Sequence, residues 1–204
     1  MSKVTTGLSM SLDGFIAGPD DSPSNPLGNG GGRLFDWFGS GDTPSRFYDR
    51  FRMSPVSAAV FDAGAGRVGA MISGRRTYDI TNGWGGDGPL PGVPLFVLTH
   101  SVPSEVPQGS STYTFVTDGI ESAIKQAVQV AGDKDVSLMG ASPVQQAIRA
   151  GLMDEIEVDV VPVLLGGGVR LLDHLGDSAI QLEKIFVVDA PDITHMRYRV
   201  VGKA

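Results

Sequence analysis

The chain has 204 residues, no cysteine and a formal charge of −7. No disulfide, thiolate metal site or cysteine nucleophile is available, and the acidic balance argues against non-specific binding to nucleic acid or anionic membranes while leaving room for a local basic patch. With 41% hydrophobic and 19% charged residues the composition is globular; no apolar run reaches the roughly 18 residues of a membrane span, and no apolar stretch resembling a signal peptide precedes the first strand. One cytoplasmic domain over 1–204, with a loop insert at 18–41, is the organisation these features predict.

Val4–Leu12 alternates as a strand and runs into Asp13-Gly14, then Phe15-Ile16-Ala17. Asp13 is either an acid beside a binding cleft or a side chain that satisfies turn backbone. Gly18–Gly41 reads as a loop, rich in proline and glycine; its aromatic group, Leu34, Phe35, Trp37 and Phe38, packs over a ligand, into a neighbouring subunit or into the core. Pro44–Arg52 reads as one or two helical turns. Pro55–Gly64 reads as a helix with Val56, Ala59, Val60 and Ala63 on its apolar face. The strand Gly69–Ser73 then leads into Gly74-Arg75-Arg76-Thr77. Two arginines at a helix start form a fork-shaped clamp for phosphate, unless they are simply solvated.

Trp84 falls in the turn-rich run Asn82–Pro94. Leu95–Thr99 is a strand with Thr99 and His100 at its end, and Thr114–Val116 is another. Asp118 and Glu121 form a capping box for a helix whose buried face is Ile120, Ala123, Ile124, Ala127, Val128 and Ala131. The most informative stretch is Val136–Gly151: a short apolar strand, the small turn Gly140-Ala141, and a helix capped by Ser142 with Pro143 and Gln145 behind it. A helix start at a strand's carboxyl end offers free N–H groups and the positive end of a dipole, which suits phosphate; a plain turn is the alternative. Glu155–Val161 alternates acidic and apolar residues, so it is a strand, with Glu155 and Glu157 solvated and Asp159 near a cleft. Gly166–Gly168 is a turn, Arg170–Leu175 a helical turn, and Gln181–Val188 with Ile193–Val201 a terminal hairpin. The whole predicts an α/β fold whose sheet is largely parallel with an antiparallel edge.

The runs SLDGFIAG, GRRTYD, PLFVLT, MGASPVQQAIRAGLMDEIEV, PVLLGGG and THMRYRV, in this order, resemble the dihydrofolate-reductase-like superfamily. More closely they resemble the reductase domain of the bifunctional riboflavin-biosynthesis deaminase/reductase and its stand-alone relatives. The resemblance implies a three-layer α/β/α fold, a homodimer, NADPH as cofactor and a small-molecule substrate. By position it implies that Gly74, Arg75, Arg76 and Thr77 hold the adenosine 2′-phosphate and pyrophosphate. It places Leu98, Thr99 and His100 beside the adenine ribose, Gly140, Ala141, Ser142, Val144 and Gln145 at a second pyrophosphate turn, and Ser9, Ile16 and Ala17 around the nicotinamide. Dihydrofolate reductases carry an acid on the first long helix; counted back from Gly74, that position is Ala58, and Asp62 is the nearest acid. No deaminase zinc motif is present.

The activity expected is hydride transfer to a carbonyl or imine, as in 5-amino-6-(5-phosphoribosylamino)uracil reductase. Dihydrofolate reduction and a non-catalytic NADPH sensor are the alternatives. Asp13 and Asp159 are the candidates for orientation or proton delivery, and Trp37, Asp62 and Trp84 for the substrate side. His100, His174 and His195 lack metal-ligand spacing.

Overall fold

The computed structural model describes residues 2–202. In chain order it comprises β1 (Val4–Ser11), β2 (Phe15–Ala17), a 3-10 helix (Gly31–Gly39), β3 (Thr43–Pro44), β4 (Arg52–Met53), α1 (Pro55–Arg67), β5 (Val68–Gly74), α2 (Arg75–Ile80) and a second 3-10 segment (Asn82–Gly86). There follow β6 (Leu95–Leu98), β7 (Tyr113–Val116), α3 (Ile120–Ala131), β8 (Asp135–Met139), α4 (Ala141–Arg149), β9 (Glu155–Val161), β10 (Val169–Arg170), β11 (Gln181–Ala190) and β12 (Ile193–Val201).

The main sheet has the order β11-β12-β9-β1-β8-β5-β6-β7. From β9 to β7 every pairing is parallel, and the terminal hairpin adds β12 and β11 antiparallel at one edge. Parallel strands must be covered on both faces, and the alternation of side chains supplies two apolar surfaces. Val4, Ala70, Ile72, Val136, Leu138, Ile156 and Val158 face α3 and α4. Val161 and Ile193 face the opposite layer, where Ala58 of α1 meets Leu34 and Trp37 of the 3-10 helix. The result is the three-layer α/β/α arrangement.

Several local expectations are corrected. Residues 44–52 form no helix; Thr43–Pro44 and Arg52–Met53 pair as a two-stranded ribbon. Arg170 belongs to β10, which pairs with β2, rather than to a helical turn. The helix starts at 120 and 141 are capped by Gly119 and Gly140 with no side-chain cap, so neither predicted capping box forms. Ser142 instead accepts a bond from Gln146 Nε2 at 2.9 Å.

The α1 helix buries a different face from the one its alanines and valines predict: Ser57, Ala58 and Asp62 are inside, while Val56 is 42% exposed. Polar partners decide this. Ser54 caps the helix by accepting from Ser57 N, and Asp62 finds three donors inside the layer, described below. The glycine turn Gly166–Gly168 serves close packing. Gly168 has φ +119°, and a Cβ there would stand 2.1 Å from Ala17 O.

Candidate active site

One cavity of about 1400 Å³ runs across the face of the sheet covered by α1 and the 3-10 helix. That exceeds the several hundred to about 1,000 Å³ of a single-ligand pocket and leaves room for two reactants side by side.

Its floor is set by strand register. Ser9 of β1, Asp159 of β9 and His195 of β12 lie in one row, and Gly7, Glu157 and Arg197 in the next. Aligned residues on neighbouring strands point the same way, so two carboxylates, an imidazole and a guanidinium converge. Gly7 adds no side chain over Glu157. Asp159 Oδ1 lies 2.6 Å from His195 Nδ1, and His195 Nε2 lies 3.1 Å from Ser57 Oγ. Arg197 donates from Nη2 to Glu157 Oε2 at 2.7 Å. Glu155 and Glu157 are only 5% and 7% exposed, which corrects the expectation of solvated acids. Burial first, and the neighbouring Asp159 charge second, push Glu157 up to about 7. The alternation of β9 gave the face of these side chains but not that α1 covers it.

The walls are aromatic. Trp37 donates from Nε1 to Ser9 Oγ at 3.0 Å and meets the His195 ring edge-on at 5.4 Å. Phe38 stacks on Phe51 at 4.1 Å, and Tyr48 and Phe61 extend the group. Burial raises the Tyr48 phenol to about 12, and its hydroxyl donates to Pro89 O. The aromatic residues of the 18–41 insert are thus wall and core at once. Trp84 lines the cavity as well.

At the other end two strand-to-helix turns, β5–α2 and β8–α4, sit on adjacent parallel strands and touch. Gly140 has φ +89°, and a Cβ there would lie 2.8 Å from Thr77 Oγ1. The first turns of both helices lack side-chain caps, so their N–H groups remain available to a ligand. Arg75 donates to Asp79 Oδ1 at 2.7 Å, Ser101 O at 2.7 Å and Thr99 Oγ1 at 3.2 Å. Arg76 forms a two-pronged pair with Asp21 of the insert, at 2.7 and 3.0 Å, and bonds Asp21 O at 2.9 Å. Donor set, uncapped helix starts and volume fit a dinucleotide with a phosphorylated ribose.

The cavity brings together Ser9, Ile16, Ala17, Gly74 to Thr77, Leu98 to His100, Gly140 to Ser142 and Gln145, along with Trp37, Trp84 and Asp159. Three expected residues fall outside its lining. Val144 is fully buried in the opposite core. Asp62 accepts from Ser45 Oγ at 2.8 Å and from Arg46 N and Nε, each at 3.1 Å, so it ties the 45–46 turn to α1. Asp13 accepts from Ser11 Oγ at 2.6 Å, Gly166 N at 2.7 Å and Leu165 N at 3.1 Å. Those bonds, Ser11's first, lower it to about 2. Its oxygens organise the turn, the second of the two roles weighed from the sequence. Glu157, Arg197, His195 and Ser57 were missed; the alternating acids at 155, 157 and 159 were the available signal.

Fold and cavity together define a dihydrofolate-reductase-like α/β protein. Residues 2–193 match the RibD C-terminal domain, and the chain belongs to that family. Among solved structures it is similar to a candidate riboflavin biosynthesis protein from Shewanella sp. PV-4, at 25% identity and TM-score 0.68, over 99% of this chain and 100% of that one. It is also similar to the riboflavin biosynthesis reductase Rib7 of Saccharomyces cerevisiae, at 10% identity and TM-score 0.60, over 98% and 90%. Dihydrofolate reductase from Enterococcus faecalis, complexed with NADP(H), matches at 13% identity and TM-score 0.54, over 97% and 96%. No curated protein sequence matches the chain.

Proposed function

We propose that this chain is an NADPH-dependent reductase acting on the carbonyl or imine of a small polar substrate, of the kind reduced in riboflavin biosynthesis. One observation carries the reading: two abutting helix-start turns, one of them bearing Arg75 and Arg76, open into the same cavity as a buried carboxylate pair. The first half suits a dinucleotide, the second a reacting polar group. The E. faecalis enzyme was solved with NADP(H) on this fold, and Rib7 is a reductase.

When bound, the reduced nicotinamide supplies the hydride. The chain supplies orientation, worth up to roughly 7–11 kcal/mol of barrier when two reactants are held in line. Ser9, fixed by Trp37, and Asp159, fixed by His195, present rigid polar atoms on the floor, while the aromatic wall excludes water. The α1 position that carries an acid in dihydrofolate reductases is Ala58 here, Asp62 one turn on is tied to the 45–46 turn, and the carboxylates come from β9 instead.

We further propose a homodimer through the terminal hairpin, where Leu182, Ile185 and Val187 are 40–47% exposed on the edge strand. Titration with NADPH and NADH, read by the fluorescence of Trp37 and Trp84, tests the cofactor. Tighter binding of NADPH, lost in Arg76→Ala, is expected, followed by NADPH oxidation with a carbonyl and imine panel. Binding of neither cofactor overturns the reading; binding without turnover leaves the sensor.

A further inference from the structure

The reaction proposed above needs a proton as well as a hydride. We infer that Glu157 delivers that proton, while Asp159, held by His195 and Ser57, stays ionised to orient the substrate. The inference rests on the reductase reading of the cavity.

Charge counting in the β9 row comes first. Glu155, Glu157 and Asp159 occupy alternate positions of one strand and face the same layer. Among the described residues, two permanent cations are in contact with them, and Arg67 of α1 acts on Glu157 from farther off. Lys3 Nζ pairs with Glu155 at 2.5 Å, and Arg197 is shared between Glu155 at 3.5 Å and Glu157 at 2.7 Å. Arg67 of α1 turns to Asp135 of β8 at 3.6 Å. Three carboxylates against two cations leave one buried negative charge uncompensated. Such a charge is expensive, and a group in that position takes up a proton instead.

The hydrogen bonds say which group holds it. Glu155 has both cations. Asp159 Oδ1 lies 2.6 Å from His195 Nδ1, where a carboxylate accepts the ring N–H; His195 Nε2 lies 3.1 Å from Ser57 Oγ, and Ser57 accepts from Ser54 at 3.0 Å. With the ring neutral, every donor in this chain points toward Asp159 and favours its charged form. Glu157 is left with one contact to a shared guanidinium, next to the Asp159 charge and 7% exposed. Burial beside a second carboxylate raises Glu157, and such unlike surroundings divide the acid role from the charged role. Both side chains line the cavity, whereas Glu155 does not.

The step balances as follows. A bound reduced nicotinamide would supply a hydride, one proton with two electrons, to the carbon of a C=N or C=O group and would be left oxidised. The π pair moves to the heteroatom, which takes the proton as the Glu157 O–H bond breaks and the new N–H or O–H bond forms. Glu157 is left as a carboxylate and recovers its proton from solvent between turnovers. His195 is a positioning residue here, because it acts only through Asp159.

Infrared spectroscopy of the whole protein tests the proton's location without any substrate. A protonated-carboxyl band that disappears as pH rises through about 7, is missing in Glu157→Gln and persists in Asp159→Asn is expected. With NADPH and an accepted substrate, Glu157→Gln should lose about 100-fold or more in kcat with NADPH affinity unchanged. The fall of wild-type kcat/KM above pH 7 should vanish with it, and Glu157→Asp should restore part of both. A band that survives in Glu157→Gln, or no such band because His195 holds the proton, overturns the inference. A Glu157-dependent band in a protein that binds NADPH but reduces nothing removes the reductase reading, and the donor role with it.

Discussion

Asp21 occupies the fork of Arg76 with both carboxylate oxygens, as a phosphate would. Its side chain is 12% exposed and that of Arg76 66%, so the pair is loosely held at the cavity's rim, worth up to about 1 kcal/mol. An arriving 2′-phosphate has to displace this internal anion. Asp21→Asn should therefore tighten NADPH binding about two- to five-fold and leave NADH unchanged. Calorimetric titration of both cofactors checks this, and an unchanged NADPH affinity would remove Arg76 from phosphate recognition. Glu157 carries a stability cost of the opposite kind. Its folded value, about 7, lies above the ordinary 4.5, so between those values the folded chain holds a proton that the unfolded chain has released. Stability falls as pH rises from 4.5 to 7, by about 3 kcal/mol at most. Urea unfolding of Glu157→Gln should show this slope flattened; a slope identical to wild type would place the acid elsewhere.

At the scale of elements, the contact between the two helix starts depends on Gly140. With φ +89°, any side chain there is strained, and Thr77 blocks the space a Cβ would take. Gly140→Ala should cost about 1–3 kcal/mol and weaken NADPH binding. Gly32→Ala, at a position with nothing within 4 Å, should cost far less; equal losses would show that the turn tolerates a side chain. The elements with one apolar face and one water face were legible in the sequence: α3, α4, the terminal hairpin and the strand–turn–helix at Gly140. Those whose burial depends on polar partners were not. Ser57 and Asp62 turn α1 against its alanine face, and Glu155 and Glu157 are buried under it, because period alone shows which residues share a side and not what lies on that side. The glycine turns at Gly74 and Gly140 stand where the sequence reads them, whereas Asp62 bonds a turn rather than the cavity and Asp13 takes the turn role, one of the two its position allows. Asp13 and Asp62 stand out by chain position alone, and their bonds reach turns 152–153 and 16–17 residues away.

For the whole molecule, three of the exposed apolar residues, Leu182, Ile185 and Val187, lie on the outermost strand, β11, whose outer edge carries unpaired backbone groups in the described residues. Such an edge invites a second copy. Ile185→Glu with Val187→Lys should give a monomer by analytical ultracentrifugation where the native chain gives a dimer; a native monomer would dismiss the proposed interface. Among the described residues, no helix is long and apolar enough to cross a membrane.

The central place of β1 bears on how the chain is born. It precedes every other described strand, yet its partners are β8 and β9, with Thr6 bonded to Leu138 across 132 residues. Pairing over such a separation is slow, because a long loop must close before any contact rewards it. While the ribosome extends the chain, β1 waits without a neighbour, and the middle of the sheet closes only after residue 161 has emerged. Ser9, Glu157 and Asp159 meet at that moment, and His195 joins them only when β12 follows. A nascent or C-terminally truncated chain therefore holds the two phosphate-type turns without the acidic floor, and competence for chemistry arrives with the last strands.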